Sequence, residues 1–140
     1  MGFVLEDSND PKLWILSTHI KADGRYKDIL YTDGGPSSTG TSGHIVMHGR
    51  EVFKQAVTLM AEVVEEALKE NNLTTAQIDW LVPHQANNRI IEATAKKLNP
   101  TLEKVVVTRA SHCNTSAPSI SPRLDEAMRS WSLQTRQVVP

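Results

Sequence analysis

The chain has 140 residues and a formal net charge of -1, a balance that excludes broad electrostatic attraction to nucleic acid or to an anionic membrane as the basis of its function. Its 39% hydrophobic and 22% charged residues exclude a disordered polyampholyte and fit a single folded domain, residues 1–140, with enough core to bury about two-thirds of the unfolded surface. No run of about 18 apolar residues is present, so no membrane-spanning helix is expected.

In chain order, Gly2-Phe3-Val4-Leu5 reads as the tail of a strand, and the start lacks the basic region and apolar stretch of a secretory signal. Leu13 to Ile20 mixes apolar and β-branched residues and reads as a strand. Residues 32–43, rich in Gly, Ser, Thr and Pro, read as an exposed, flexible loop. Apolar residues then recur every three or four positions from Val52 to Leu68, while Glu62, Glu65, Glu66 and Lys69 occupy the other face. That spacing predicts an amphipathic helix ending near Asn71 and Asn72. Thr74 or Thr75 caps a single turn before Ile78-Asp79-Trp80-Leu81-Val82, a short buried strand stopped by Pro83. Asn87 caps a helix to about Leu98 with Ile90, Ile91, Ala95 and Leu98 inward, and Pro100 ends it. Val105 to Thr108 is a second short strand. A third helix follows Asn114, with Leu124, Ala127, Met128 and Trp131 on one face and Pro118 and Pro122 in or before its first turn. Gln137 to Pro140 reads as the beginning of a further strand. Strands alternating with helices imply an α/β mixed sheet with helices packed on it.

Two polar residues stand out because each follows a strand and precedes a helix: His84 and Asn114. In an open α/β sheet ligands bind beyond the carboxyl ends of the strands. If the two strands are parallel neighbours, both side chains emerge at one edge. A neutral imidazole and a carboxamide each offer an N–H, and together they suit an oxyanion or a thioester enolate. Taken singly, both residues carry a structural reading as well: a histidine at such a junction often caps, and asparagine is common in turns for backbone reasons. The one cysteine, Cys113, excludes an internal disulfide and fits a reducing compartment, so a cytoplasmic location is expected.

The longer motifs decide between these readings. Leu81-Val82-Pro83-His84-Gln85-Ala86-Asn87, with Arg89-Ile90-Ile91 and Ala93 to Leu98, resembles the histidine segment of the β-ketoacyl-(acyl carrier protein) synthase III family. His112-Cys113-Asn114-Thr115-Ser116-Ala117, with Leu124 to Ala127, resembles its asparagine segment. Met47 to Val57 is similar to the long helix entering that site, and Ser17-Thr18-His19 with Ala22-Asp23-Gly24 to the strand before it. The resemblance runs from about residue 13 to about 130 and implies the C-terminal half of a thiolase-like fold. It implies condensation of an acyl group from acyl-CoA with malonyl-ACP, with loss of carbon dioxide, in fatty acid biosynthesis. By position His84 and Asn114 match the two residues that stabilise the enolate. Gly49, Phe53 and Asn87 match positions lining the pantetheine channel. Arg89 matches a basic residue facing the carrier protein, and Arg50, Lys54, Lys96 and Lys97 extend that patch, although scattered Lys and Arg are also the ordinary content of a solvated helix face. No resident cofactor or metal is implied; acyl-CoA enters as substrate. The partners implied are acyl carrier protein, a CoA thioester, and an N-terminal half or a second copy of the chain.

The departures from the family set up alternatives. The family's nucleophilic cysteine belongs to an N-terminal half, and beyond Gln137 the family continues through further strands, so a domain short of its last strands is expected. Cys113 stands where the family has glycine; a thiol hydrolase built on it would need a depressed thiol pKa and an aligned base. Pro118, Pro122 and Arg123 replace small or apolar residues of a buried helix, and Pro122 would cost up to about 3 kcal/mol in a helix interior. A non-catalytic fragment that holds CoA or ACP is the alternative to a working half-enzyme.

Overall fold

The computed structural model describes residues 4–98, 104–107, 114–130 and 133–140. Its centre is a strip of three extended segments. Leu81 pairs with Val105 in a parallel bridge: the Leu81 amide donates to Lys104 O (2.8 Å) and the Val106 amide to Leu81 O (2.9 Å). On the other side, the Asp79 and Trp80 amides both donate to Val138 O at 3.0 and 3.2 Å, and Asp79 Oδ2 accepts from the Val138 amide at 2.8 Å. The tail therefore docks beside the 78–82 segment, as its apolar character suggests, without a ladder of its own. Lys104 Nζ donates to Ile78 O (2.7 Å) and satisfies a carbonyl at the end of the strip.

Side chains of an extended segment alternate between faces, and this alternation divides the core in two. Leu81 and Val105 face one layer, packed with Ile78, Ala61, Val64, Leu68, Ile91, Ala95 and Leu98. Val82 and Val106 face the opposite layer, with Ala127, Trp80, Leu124, Leu133 and Val139. The first layer is built by helices α1 (Gly49–Glu70) and α2 (Asn88–Leu98), the second by α3 (Ile120–Arg129). Helices on both faces of a strip with parallel strands give the α/β architecture expected from the sequence.

Each helix follows its pattern. In α1 the buried residues Ala61, Val64 and Leu68 lie three and four apart, and Asn71 closes the end by accepting no further turn while its amide returns to Ala67 O. Thr74 opens the single turn Thr75–Gln77, and Gln77 Oε1 accepts from both the Thr74 amide and hydroxyl at 2.8 and 2.9 Å. In α2 the inward residues are Ile90, Ile91, Thr94, Ala95 and Leu98. A short 3₁₀ turn, Ala117–Ser119, carries Pro118 and leads into α3, where Pro122 falls in the first turn. First-turn amides lack intrahelical partners, so proline is accommodated there and the expected distortion does not arise.

Four expectations are corrected. Val4 and Leu5 form no strand and are 86% and 76% exposed. Leu13 to Ile20 is not a strand either: Pro11–Leu13 is a 3₁₀ turn and the rest is irregular, with Trp14 and Ile15 largely exposed. Apolar, β-branched composition makes a strand only where a neighbour completes the hydrogen-bond ladder, and among the described residues none pairs with this segment. Between residues 24 and 47 the chain forms a 3₁₀ helix (Gly24–Ile29) and an antiparallel hairpin, β1 (Leu30–Thr32) with β2 (Ile45–Met47), which places Thr32 in a strand and not in the loop. Met128 is 56% exposed: inward positions on α3 are Arg123 and Ala127, four apart, and the next residue rotates away by about 100°. Pro100, Thr108 and Trp131 lie outside the described residues.

The loop from Asp33 to His44 is exposed but internally bonded. The Thr39 amide donates to Gly35 O (2.9 Å) and the Gly35 amide to Thr39 Oγ1 (3.1 Å). Gly43 is required by close approach, since a Cβ there would lie 2.2 Å from Gly34 O.

The irregular 13–23 segment is held to α1 by side chains. Asn71 Nδ2 donates to Ser17 Oγ (2.7 Å), Ser17 Oγ contacts His19 Nε2 (2.9 Å), and His19 Nδ1 contacts Glu66 Oε1 (3.2 Å). Lys21 pairs with the same carboxylate. The hydrogen bond from Lys21, and then that from His19, hold the Glu66 carboxyl below its ordinary 4.5, and Glu66 in turn raises the Lys21 ammonium above 10.5. A depressed carboxylate stabilises the fold above its unfolded value and loses that contribution as pH falls through the folded one; the raised lysine does the reverse at the alkaline end. The tie is therefore fully made between 4.5 and 10.5.

Two outcomes are expected. Glu66→Gln at neutral pH, or acidification of the unsubstituted chain below the Glu66 titration, should raise hydrogen exchange at residues 17–21, corrected for intrinsic rates, and leave α2 unaffected. Ile91→Ala should lower the free energy of unfolding by about 2–5 kcal/mol in a urea titration, because Ile91 is 1% exposed at the α1–α2 contact.

Candidate functional site

The strip delivers its two parallel segments to one edge, and the polypeptide there is stitched by polar side chains. Gln85 is fully buried after Pro83 and His84. Its Nε2 donates to Pro83 O (3.1 Å) and to Val106 O (3.0 Å), so it ties the turn after the first segment to the backbone of the second. Its amide donates to Ser119 Oγ (3.2 Å). Ser119 is also fully buried, and its hydroxyl lies 2.5 Å from His84 Nδ1.

Asn114 is exposed at the start of the turn that ends in Ser119. Its Oδ1 accepts the Ser116 amide at 2.8 Å. With the carboxamide oxygen engaged by that amide, the Nδ2 protons have no partner among the described residues. Ser116 has φ 61° and ψ -141°, a region that a residue with a Cβ rarely enters. The Ser116 carbonyl accepts the Ser119 amide (3.0 Å), which closes the turn. His84 and the Asn114 turn are thus joined through Ser119, as the parallel arrangement of their strands requires.

The other residues singled out by sequence fall into two groups. Gly49, Arg50, Phe53 and Lys54 share the first turns of α1, and Arg89 comes to them from the start of α2, its guanidinium 5.6 Å from the centre of the Phe53 ring. Such a stacked cation adds about 0.5–1 kcal/mol at an exposed site. A Cβ on Gly49 would meet nothing within 4 Å, so packing inside this chain does not demand glycine there. Asn87 acts as the helix cap, its Oδ1 accepting the Arg89 amide at 2.9 Å. Lys96 and Lys97 are exposed about two turns further along α2, at the far end from Phe53. Cys113 lies outside the described residues. Among the described residues no three His, Cys, Asp or Glu side chains cluster as metal ligands do.

Sequence reasoning had passed over Gln85, Ser116 and Ser119. Gln85 stands in the polar stretch His84-Gln85-Ala86-Asn87-Asn88, where nothing in the sequence marks it for burial. The serines carry no signal of their own in a stretch already rich in small polar residues.

A family profile described as 3-oxoacyl-[acyl-carrier-protein (ACP)] synthase III C terminal matches residues 68–139. The chain belongs to this family. It is 58% identical over 89% of its length to a β-ketoacyl-[acyl-carrier-protein] synthase III of Rhodospirillum rubrum, and 55% identical over 95% to one of Granulibacter bethesdensis. It spans 39% and 41% of those two proteins. It superposes on the crystal structure of the 3-oxoacyl-[acyl-carrier-protein] synthase III from Aquifex aeolicus with a TM-score of 0.85 at 38% identity, covering 95% of this chain and 41% of that one. The fold is accordingly the C-terminal part of that α/β, thiolase-like architecture.

The strain at Ser116 gives a direct check. Ser116→Gly should raise the thermal unfolding midpoint, by the equivalent of about 1 kcal/mol, while Ser116→Val should lower it.

Proposed function

We propose that this chain is the charge-stabilising half of a β-ketoacyl-ACP synthase III, the part that receives an acyl group held on a cysteine of an N-terminal half and condenses it with malonyl-ACP. The observation that carries the reading is the chain of hydrogen bonds from His84 to Ser119, and from Ser119 through Ser116 to Asn114, which connects the imidazole to the turn that bears the carboxamide. The family membership supports it.

In this reading malonyl-ACP presents its thioester carbonyl to the His84 and Asn114 N–H groups. Loss of carbon dioxide leaves an electron pair delocalised onto that oxygen as an enolate, and the two donors stabilise the charge as it develops. The enolate carbon then attacks the acyl thioester, a carbon–carbon bond forms, and the cysteine thiolate leaves. Gly49, Phe53 and Asn87 line the path of the pantetheine arm. Arg50, Lys54 and Arg89 attract the acidic carrier protein, and their grouping around Phe53 fits that role. Acyl-CoA is the acyl donor, no resident cofactor takes part, and the reaction belongs to the cytoplasm. Among the described residues no helix is long and apolar enough to cross a membrane. Activity requires assembly with an N-terminal half carrying the cysteine.

The test is reconstitution. The chain mixed or co-expressed with the N-terminal half of the Rhodospirillum rubrum relative should condense acyl-CoA with malonyl-ACP, and His84→Ala or Asn114→Ala should each lower kcat by about a hundred- to a thousand-fold with the fold retained. Absence of condensation where the full-length relative is active rejects the reading and leaves a fragment that at most binds CoA or ACP. Replacing Arg50, Lys54 and Arg89 by glutamate should raise KM for malonyl-ACP and flatten its salt dependence.

A further inference from the structure

We infer that Ser119 is a positioning residue: its hydroxyl donates to His84 Nδ1 and so holds the imidazole in the tautomer that carries its proton on Nε2. The contribution of that tautomer to catalysis rests on the role proposed above for His84; the tautomer itself follows from hydrogen-bond accounting.

Ser119 Oγ has two partners, the Gln85 amide at 3.2 Å and His84 Nδ1 at 2.5 Å. A backbone amide is always a donor, so Gln85 consumes one of the oxygen's lone pairs. The hydroxyl proton must then find an acceptor, because Ser119 is fully buried and buried polar groups are paired. Among the described residues the acceptor within reach is His84 Nδ1. In the opposite arrangement Nδ1–H would donate to Oγ. The oxygen would accept twice, and its own proton would be buried with no acceptor among the described residues. Nδ1 is therefore an acceptor, and a neutral ring bears its one proton on Nε2.

The serine can impose this because it is fixed from both sides. Its own amide donates to Ser116 O (3.0 Å), and the Gln85 backbone that meets its oxygen is held by Gln85 Nε2 on Pro83 O and Val106 O. The same turn orients the second donor: Ser116 N–H occupies Asn114 Oδ1 and leaves Nδ2 to bind. A single six-residue turn, 114–119, thus engages an acceptor atom of both side chains and leaves the N–H side of each to bind. That is the polarity an enolate oxygen needs, and it is set before any substrate arrives.

The experiment reads the ring directly. In the full chain labelled with ¹⁵N-histidine, long-range proton–nitrogen correlation should show His84 with Nδ1 unprotonated and Nε2 protonated at mildly alkaline pH; the signals are assigned by their loss in His84→Gln. Ser119→Ala should move the ring to an average of both tautomers with the backbone spectrum otherwise kept, and Ser119→Thr, which retains the hydroxyl, should restore the original pattern. In the reconstituted enzyme Ser119→Ala should lower kcat by about ten- to a hundred-fold, less than outright loss of an oxyanion donor, with KM for malonyl-ACP within about two-fold. A proton on Nδ1 in the unsubstituted chain overturns the inference, as does an unchanged tautomer in Ser119→Ala. If Ser119→Ala does not fold, Ser119→Cys, close in size and a weaker donor, takes its place under the same two criteria. A reconstituted enzyme without activity counts against the proposed function alone, since the tautomer is read without turnover.

Discussion

The parallel contact between Leu81 and Val105 is the constraint on which the rest of the molecule depends. It consists of two backbone hydrogen bonds and two buried aliphatic side chains. Its consequences are large because pleating sends alternate residues to opposite faces. Leu81 and Val105 turn one way into the α1–α2 layer, while Val82 and Val106 turn the other way toward α3. One residue of slip would present each side chain to the wrong layer. The same contact fixes where the chain leaves the strip. The turn that follows the first segment carries His84, and Ser119, in the turn that begins at Asn114, meets it there.

At that edge the fold tolerates polar burial because the polar groups close on one another. Gln85 in an apolar interior would be costly if its amide were unpaired. Here its two donors meet two backbone carbonyls that the short strip leaves unfilled, and its backbone amide meets a serine. The glutamine therefore does two things at once: it satisfies two carbonyls of the strip and ties the turn that carries His84 to the backbone of the second segment. The backbone of Ser116 lies in a conformation that disfavours any residue with a Cβ. Its amide and carbonyl are both used, one on Asn114 and one on Ser119, which is how the surrounding structure holds a local conformation it would not otherwise adopt.

A different logic governs the basic residues at the starts of α1 and α2. They are exposed, and their grouping depends on helix periodicity within α1 and on the packing of α2 against it. Arg50 and Lys54 are four apart on α1, and Phe53 between them receives Arg89 from α2. The surface is positive at that end while the chain as a whole carries a charge of -1, so the local arrangement and not the net charge would determine which partner it attracts.

The helices and the family were legible in the sequence, because helix amphipathicity and motif spacing are local properties. The periodicity from Val52 to Leu68 and the cap at Asn87 form as read, whereas the apolar runs at 78–82 and from 105 are extended segments that meet in one isolated bridge, Leu81 with Val105, and not full strands. Leu13 to Ile20 forms no strand, and neither do Val4 and Leu5, because strand composition states a preference while a strand is a relation between two pieces of chain. The hairpin of β1 and β2 escaped for the converse reason: three-residue strands flanking a Gly- and Ser-rich loop are too short to show alternation, and only their pairing reveals them. His84 and Asn114 could be named from sequence, together with the family they belong to. What orients them could not, since Gln85, Ser116 and Ser119 act through hydrogen bonds between turns up to 35 positions apart. Sequence by itself determined that an imidazole and a carboxamide, His84 and Asn114, stand in the family's two polar motifs. Tertiary structure decided which of their atoms already have partners, because the direction of a hydrogen bond depends on every partner a buried atom has, and those partners come together only in the folded chain.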